Sequence, residues 1–215
     1  MSISSQIEKS MESPDVEQLL GSARHGKSEP LGQLLKMYQN YLTILATTQL
    51  DRRLRNRLSP SDLVQETLLA AHRDFQKFRG HSEREFLGWL RQVFINSLHH
   101  AIEVHIHAKK RDVRCEVSIE NVNAALDRSA ENLGHILADP GPSPSNIVGK
   151  RERAVTLADQ LAQLKPDYRD VIVLRNLQGL SFDEIAERME RKTGSVRMMW
   201  LRAIEKLRQL YESTD

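Results

Sequence analysis

Apolar residues recur at intervals of three and four along most of the chain, which is the spacing of amphipathic helices. Helical periodicity begins near Pro14, and a long stretch over 31–54 predicts a single helix with a basic end. The longest predicted helix covers 83–110, and the pattern resumes over 150–211. The pattern therefore predicts a protein built from helices alone.

One helix start is marked with particular clarity. Ser59 is a predicted N-cap, Pro60 suits the first helical position, and Asp62 places a negative charge in the first turn. We predict that this helix runs to about Phe78 and is ended by Gly80.

Regular periodicity is lost after Cys115. The following residues are rich in Asn, Pro, Gly and Ser, a composition typical of a linker, with one short predicted helix at 121–127. We expect the two flanking modules to move independently of each other. The predicted organisation is a disordered tail, a first helical module, a linker and a second helical module, at 1–13, 14–114, 115–149 and 150–211.

Composition agrees with an all-α fold of two helical modules. Of 215 residues, aromatics make up 5%, with 10 Gly and 7 Pro. The 31 basic and 29 acidic residues nearly cancel, but their distribution is uneven. Residues 182–187 are acidic, whereas 188–208 carry an excess of Arg and Lys. A local basic patch on a near-neutral protein indicates a specific contact with a polyanion.

The charge switch coincides with a predicted helix-turn-helix. Ser181 and Glu184 form a capping-box pattern at the start of a short helix, and Thr193 is the predicted N-cap of the next. No glycine occupies the turn between them, so we expect Glu190 or Arg191 to adopt the left-handed conformation.

The outer face of the second helix has the chemistry of a DNA-reading surface. Its N-terminal part would enter the major groove, where Arg can read guanine and Met can contact a thymine methyl group. An ordinary helical hairpin with a solvated basic face is the alternative, but exposed Met198 and Leu201 favour a partner. The predicted DNA-contacting residues are Lys192, Thr193, Ser195, Arg197, Met198 and Arg202.

The helix that starts at Ser59 has two distinct faces. Helical spacing places Asp62, Gln65, Glu66 and Leu69 on one face, and an apolar set that includes Val64 on the other. Taken alone, this pattern describes a capped surface helix with incidental acids.

These segments together resemble the sigma-70 family of bacterial RNA polymerase sigma factors. Residues 164–208, including Gly179–Ala186 and Ser195–Arg197, resemble its fourth conserved region. The Asp62–Thr67 segment resembles the region-two helix that grips the polymerase clamp coiled coil, and Phe86–Asn96 resembles the helix that reads and opens the −10 element.

The resemblance implies a function for each module. It implies a factor that binds core RNA polymerase through the clamp coiled coil and the flap and directs promoter-specific transcription initiation. The first module would read the −10 element and the helix-turn-helix the −35 element of promoter DNA. The implied polymerase contacts are Asp62, Gln65, Glu66 and Leu69. The implied contacts to the −10 element and to phosphates are Arg91, Asn96, Lys109, Lys110, Arg111 and Arg114.

The matching segments cover about 14–114 and 150–211, without the large middle domains of housekeeping sigma factors. That arrangement resembles the extracytoplasmic-function (ECF) subgroup, and the wording of two segments resembles its planctomycete-type branch. Many members are held silent by an anti-sigma factor, which is therefore a candidate partner.

The sequence departs from the family pattern in two segments that would contact the −10 element. The loop before the long helix offers only Phe78 and His81 as aromatic rings for base stacking. The 99–107 segment also holds His and Glu where Arg is commoner, so weaker promoter binding is expected.

That same segment raises the question of a metal site. His99, Glu103 and His107 lie at i, i+4 and i+8, a spacing that can ligate a metal. Adjacent histidines on an exposed helix are more commonly solvated, so we expect neither a metal nor another cofactor. An alternative hypothesis is that protonation of this cluster strengthens DNA binding at lower pH.

Other function classes receive less support from the sequence. We find no Gly-rich phosphate loop or nucleophile elbow, so no enzyme is expected. The single cysteine, the absence of an apolar leader and the absence of a membrane-length apolar stretch predict a cytoplasmic protein without membrane insertion. The serious alternative is a helix-turn-helix transcription regulator that is not a polymerase subunit and binds DNA stably alone.

Overall fold

The computed structural model describes residues 16–26, 28–50, 57–106, 128 and 147–212. Every regular element in these ranges is helical, which confirms the predicted all-α fold. Within them, no helix is both long enough and apolar enough to cross a membrane.

In its described residues, the first module contains five helices and a short 3₁₀ turn at Phe75–Lys77. Its helices are α1 Val16–Arg24, α2 Ser28–Met37, α3 Gln39–Gln49, α4 Pro60–Asp74 and α5 Glu83–Ile106. Helix α4 packs against α3 and α5, and α1 packs against α2.

The single helix predicted over 31–54 is wrong, because the chain breaks at Tyr38. Tyr38 has φ −95° and ψ 0°, and its backbone N–H donates to the Leu35 carbonyl in a tight turn. Its hydroxyl donates to Glu83 Oε1 at 2.8 Å. Both flanking helices bury their apolar faces in the same core, so the hydrophobic period continues through the break.

The start of α4 is confirmed in detail. Ser59 has extended backbone angles, and its hydroxyl accepts from the Asp62 backbone N–H at 3.0 Å, with Pro60 in the first turn. The helix ends at Asp74, and the chain becomes extended at Phe78 after the 3₁₀ turn.

The core of the first module contains a cluster of aromatic rings. Neighbouring centroids lie 5.3–6.4 Å apart in tilted or edge-on arrangements, the geometry that aromatic pairs prefer. This aromatic cluster joins the end of α4 to the start of α5, and it consists of Tyr38, Phe75, Phe78, Phe86 and Trp89.

The described residues of the second module start at Ile147, which already lies in a helix three residues before the predicted start at Lys150. Its helices are α6 Ile147–Gln163, α7 Pro166–Ile172, α8 Phe182–Arg188 and α9 Thr193–Glu212, and α7 continues into a π-helical turn at Val173–Leu177. Apolar residues from all four helices form its core, and α9 packs against α6, α7 and α8.

The two modules contact each other through α3. The Asn40 side-chain amide donates to Asp159 Oδ1 of α6 at 2.8 Å. The Gln178 side-chain amide donates to the Thr47 carbonyl at 2.9 Å. The structure therefore differs from the expected independence of the modules. The predicted linker helix at 121–127 lies outside the described residues.

Candidate functional site

Local hydrogen bonds fix the start of α8. The Ser181 hydroxyl accepts from the Glu184 N–H at 3.2 Å, and the Glu184 carboxylate accepts from the Ser181 N–H at 2.7 Å. This is the predicted capping box. These bonds from Ser181, led by its backbone N–H, lower the pKa of Glu184.

The turn between α8 and α9 has the strained backbone that the sequence predicts. Glu190 adopts φ +54°, and the next N–H, from Arg191, donates to the Ala186 carbonyl at 2.9 Å. A left-handed non-glycine residue costs about 1–2 kcal/mol. An ion pair between Arg191 and Asp167, with Nη2 and Oδ2 2.6 Å apart, ties the turn to α7.

The beginning of α9 differs from the prediction by one residue. Thr193 is the first residue of the helix rather than its N-cap. Its hydroxyl donates to Asp183 Oδ1 of α8 at 2.8 Å and so links the two helices. Val196 and Ala203 are fully buried, as predicted for the inner stripe of α9.

The structure brings the predicted DNA-contacting residues together along the outer side of α9. Thr193 is half-buried and the rest are exposed; Met198 is 50% exposed and Leu201, on the same outer side, is 52% exposed. The exposed members are Lys192, Ser195, Arg197, Met198 and Arg202. Their contact with DNA stays a prediction.

An aromatic support for this surface was not foreseen from the sequence. The Arg197 guanidinium carbon lies 5.6 Å from the centroid of the Phe182 ring, and that of Arg175 lies 4.7 Å from it. Both distances are within cation–π range. Phe182 also packs edge-on against Trp200, whose indole N–H donates to Asn176 at 2.9 Å. Arg197 is therefore exposed but rests on a fixed ring.

Helix α4 presents the polar face that its spacing predicts. Asp62 and Gln65 are exposed, and Glu66 is half-buried beside them. Leu69, on the same side, is 71% exposed, whereas Val64 on the inner side is 2% exposed. Leu69 is therefore an exposed apolar side chain on a face that is otherwise acidic and polar.

The predicted −10 residues divide into three groups. Arg91 is only 9% exposed, so its side chain lies in the packing of α5 rather than on an open surface. Asn96 is exposed and accepts from Gln92 Nε2 at 3.0 Å. The four basic positions Lys109, Lys110, Arg111 and Arg114 lie outside the described residues.

The histidine segment does not form a metal site in the part of the chain that the structure describes. His99 Nε2 is buried without a hydrogen-bond partner there, and Glu103 is exposed. No group of three His, Cys, Asp or Glu residues lies close enough together among the described residues. His107 lies outside them.

A groove on the second module is a further feature that periodicity could not reveal. It has a volume of about 710 Å³ and lies between the start of α7 and the second half of α9. Its lining combines apolar side chains with a polar rim in which three basic residues outnumber the acidic Glu205. The apolar members are Leu164, Tyr168, Leu201 and Leu210, and the basic members are Lys165, Arg202 and Lys206.

Comparison with known proteins finds matches in both modules. Residues 37–105 match the family described as Sigma-70 region 2, and residues 154–207 match Sigma-70, region 4. The chain is similar to the ECF RNA polymerase sigma-E factor of Haemophilus influenzae, with 29% identity over 187 residues, 87% of this chain and 90% of that protein. It is also similar to RNA polymerase sigma factor CarQ of Myxococcus xanthus, with 31% identity over 168 residues, 75% of this chain and 79% of that protein. The RNA polymerase sigma-H factor of Pseudomonas aeruginosa is 28% identical over 190 residues, 88% of this chain and 90% of that protein.

Proposed function

Because this chain belongs to the sigma-70 family of RNA polymerase sigma factors, we propose that it binds core RNA polymerase and directs promoter-specific transcription initiation. Similarity to relatives named as ECF factors supports a place in the extracytoplasmic-function group. We assign it to the planctomycete-type branch on the wording of the Leu58–Glu66 and Trp89–Gln92 segments.

The observation that carries the proposal is the pairing of two different surfaces in one chain. Helix α9 has an exposed face of basic and apolar side chains, and this face suits promoter DNA. The capped helix α8 supports α9 from the other side. Helix α4 offers Asp62, Glu66 and an exposed Leu69, which do not suit DNA because the carboxylates repel phosphates. A protein surface, such as that of a polymerase subunit, therefore suits α4 better than DNA does.

The proposed reading of the −35 element rests on the chemistry of α9. Arg197 and Arg202 can each donate two hydrogen bonds to a guanine edge, and Met198 can contact a thymine methyl group. Lys192 and Ser195 lie at the N-terminal end of the helix, where phosphate contacts are favoured. We propose that the first module acts on the −10 element, with Asn96 and the basic 109–114 segment contacting DNA.

Two surfaces fit the two proposed contacts with polymerase. The α4 face, formed by Asp62, Gln65, Glu66 and Leu69, would bind the clamp coiled coil through its carboxylates and one exposed apolar side chain. The groove between α7 and α9 would receive an apolar segment of the flap, in the manner of a helix lying in a hydrophobic groove.

We propose that the protein acts in the cytoplasm without a cofactor or a catalytic site. An anti-sigma factor would silence it by covering the α4 face or the groove, since both are exposed.

The experiment that tests this function separates a sigma factor from a helix-turn-helix regulator. Promoter fragments from the chromosome are incubated with the protein alone and with the protein plus core polymerase, and retention is measured by gel shift. We expect weak retention alone and strong, sequence-selective retention with core. Equally strong retention with and without core would favour the regulator.

A further inference from the structure

The loop Phe78–Ser82 joins the aromatic cluster to the start of α5, and its second half is held by α5 itself. Glu85 Oε2 accepts from the backbone N–H of His81 at 2.8 Å and of Ser82 at 3.1 Å. It also accepts from the Ser82 hydroxyl at 2.9 Å. The backbone bond from His81 is the largest cause of a lowered pKa of Glu85, so the carboxylate stays charged and keeps this end of the loop closed.

The first half of the loop is held by a residue far away in sequence. Arg24, in the last turn of α1, donates to the Gly80 carbonyl. Its Nη1 lies 2.8 Å from His81 Nδ1, and its guanidinium carbon lies 5.7 Å from the centroid of the Phe78 ring. One side chain therefore contacts three of the five loop residues. Arg24 precedes the segment that matches sigma region 2, which begins at residue 37.

Packing leaves the loop little room to move relative to the aromatic cluster. A Cβ atom at Gly80 would lie 2.5–2.6 Å from the Phe78 ring and from the Glu85 side chain. Real Cβ atoms do not approach this closely, so only glycine fits between the ring and the start of α5. The position of the loop is consequently set by α1 on one side and α5 on the other.

The hydrogen bond from Arg24 also determines the tautomer of the neutral His81 ring. A guanidinium group can only donate, so Nδ1 of His81 must be the acceptor. The proton of the neutral ring then lies on Nε2. His81 is exposed, and its ring presents one N–H donor together with an aromatic face.

The surroundings of His81 suit single-stranded nucleic acid. Of the two aromatic rings near the loop tip, Phe78 is 7% exposed and buried in the cluster, which leaves His81 accessible. Arg79 and Arg84 are exposed beside it, while the carboxylate of Glu83 accepts from Tyr38 and that of Glu85 closes the loop. Exposed cations around an aromatic ring form a platform for unpaired bases, because the faces of paired bases are covered by stacking.

We propose that His81 contacts an unpaired base of the melted −10 element and that Arg24 is its positioning residue, which fixes the loop and the Nε2–H form of the ring. The proposal rests on the proposed function and names residues for one of its steps. Helix α1 thereby acquires a role in promoter opening without contacting DNA itself.

The test uses the full chain assembled with core polymerase on a promoter mapped by run-off transcription. Opening is measured as permanganate reactivity of unpaired thymines, and core binding is measured separately. His81→Ala is expected to reduce opening by about 5- to 100-fold, the value of one stacked base. Arg24→Ala is expected to reduce it by at least about fivefold, and Arg24→Lys by less, because lysine keeps the charge but not the two-pronged contact.

Two controls separate positioning from general damage. Lys36→Ala removes an exposed cation from α2 and should leave opening unchanged. The double variant Arg24→Ala with His81→Ala should lose no more than His81→Ala alone, because Arg24 acts through His81. Core binding should be unchanged in every variant.

A spectroscopic measurement examines the same contact without transcription. The ¹⁵N shifts of the His81 ring in the free protein should report the Nε2–H form in the wild type and a tautomer mixture in Arg24→Ala. Normal opening by Arg24→Ala, additive losses in the double variant, or unchanged ring shifts would each overturn the positioning role. If the wild-type holoenzyme opens no promoter and binds no core, the proposed function itself fails.

Discussion

Leu69 offers the sharpest quantitative test of the α4 face. Its side chain is 71% exposed, and burial of a whole leucine side chain is worth about 1.5–3 kcal/mol. If core polymerase covers the exposed part, Leu69→Ala should cost about 1–2 kcal/mol of binding free energy. The dissociation constant for core would then rise by about 5- to 30-fold.

The assay is a competition in which labelled wild-type protein is displaced from core polymerase by unlabelled variants. Leu69→Ala should leave the free energy of unfolding within about 0.5 kcal/mol of wild type, because the side chain is exposed. Its loss of affinity should persist at high salt, whereas the loss from Asp62→Ala should shrink as salt screens the charge. If Leu69→Ala binds core as tightly as wild type, Leu69 is not covered by polymerase.

Val104→Ala is the matched control for this experiment. Val104 is 49% exposed and lies near the end of α5, so it does not belong to the α4 face. Its truncation should leave affinity for core unchanged. Equal losses from both variants would mean that exposed apolar area in general, rather than the α4 face, governs the interaction.

Three further outcomes follow from individual contacts. Arg197→Ala should weaken promoter binding by the holoenzyme by about 1–3 kcal/mol and relax the preference for guanine at the position that Arg197 contacts; an unchanged affinity and an unchanged sequence preference would exclude a role in recognition. The folded-state pKa of Glu184 lies below its ordinary value of 4.5, so the capping box stabilises the fold fully above pH 4.5. This contribution is lost as pH falls through the lowered pKa. The free energies of unfolding of wild type and Glu184→Gln should therefore converge in acid. Burial raises the pKa of Asp159 above its ordinary 3.8, against an opposing hydrogen bond from Asn40 that favours the charged carboxylate. The half-buried position of this carboxyl group is therefore most favourable at low pH and loses stability as pH rises from 3.8 through the raised pKa. Asp159→Asn should hold the modules closer at neutral pH, measured by energy transfer between labels on each module, and an identical transfer efficiency would contradict this.

Local chemistry accounts for what the sequence predicted well. The caps at Ser59 and Ser181 depend on side chains within three residues of each other, so their spacing alone identifies both helix starts. A left-handed conformation at Glu190 or Arg191 is predicted for a similar reason, since the turn requires one and no glycine is available there, and the structure places it at Glu190.

Features that depend on distant residues were missed. The bond between Asn40 and Asp159 joins positions 119 residues apart, and no periodicity connects them. Arg24 reaches the Gly80–His81 backbone and ring across more than fifty residues. The break at Tyr38 leaves no signal in the hydrophobic pattern, because buried residues continue on both sides of it.

Transcription in vitro distinguishes a sigma factor from a DNA-binding regulator in a single assay. The purified protein is combined with sigma-free core polymerase and genomic promoter fragments, and the 5′ ends of the run-off products are sequenced. We predict initiation at a few sites that share −35 and −10 motifs, with loss of initiation on Arg197→Ala and on the double change Asp62→Ala with Glu66→Ala. Failure to bind core or to initiate transcription, with DNA binding retained, would show that the protein is a regulator and not a sigma factor.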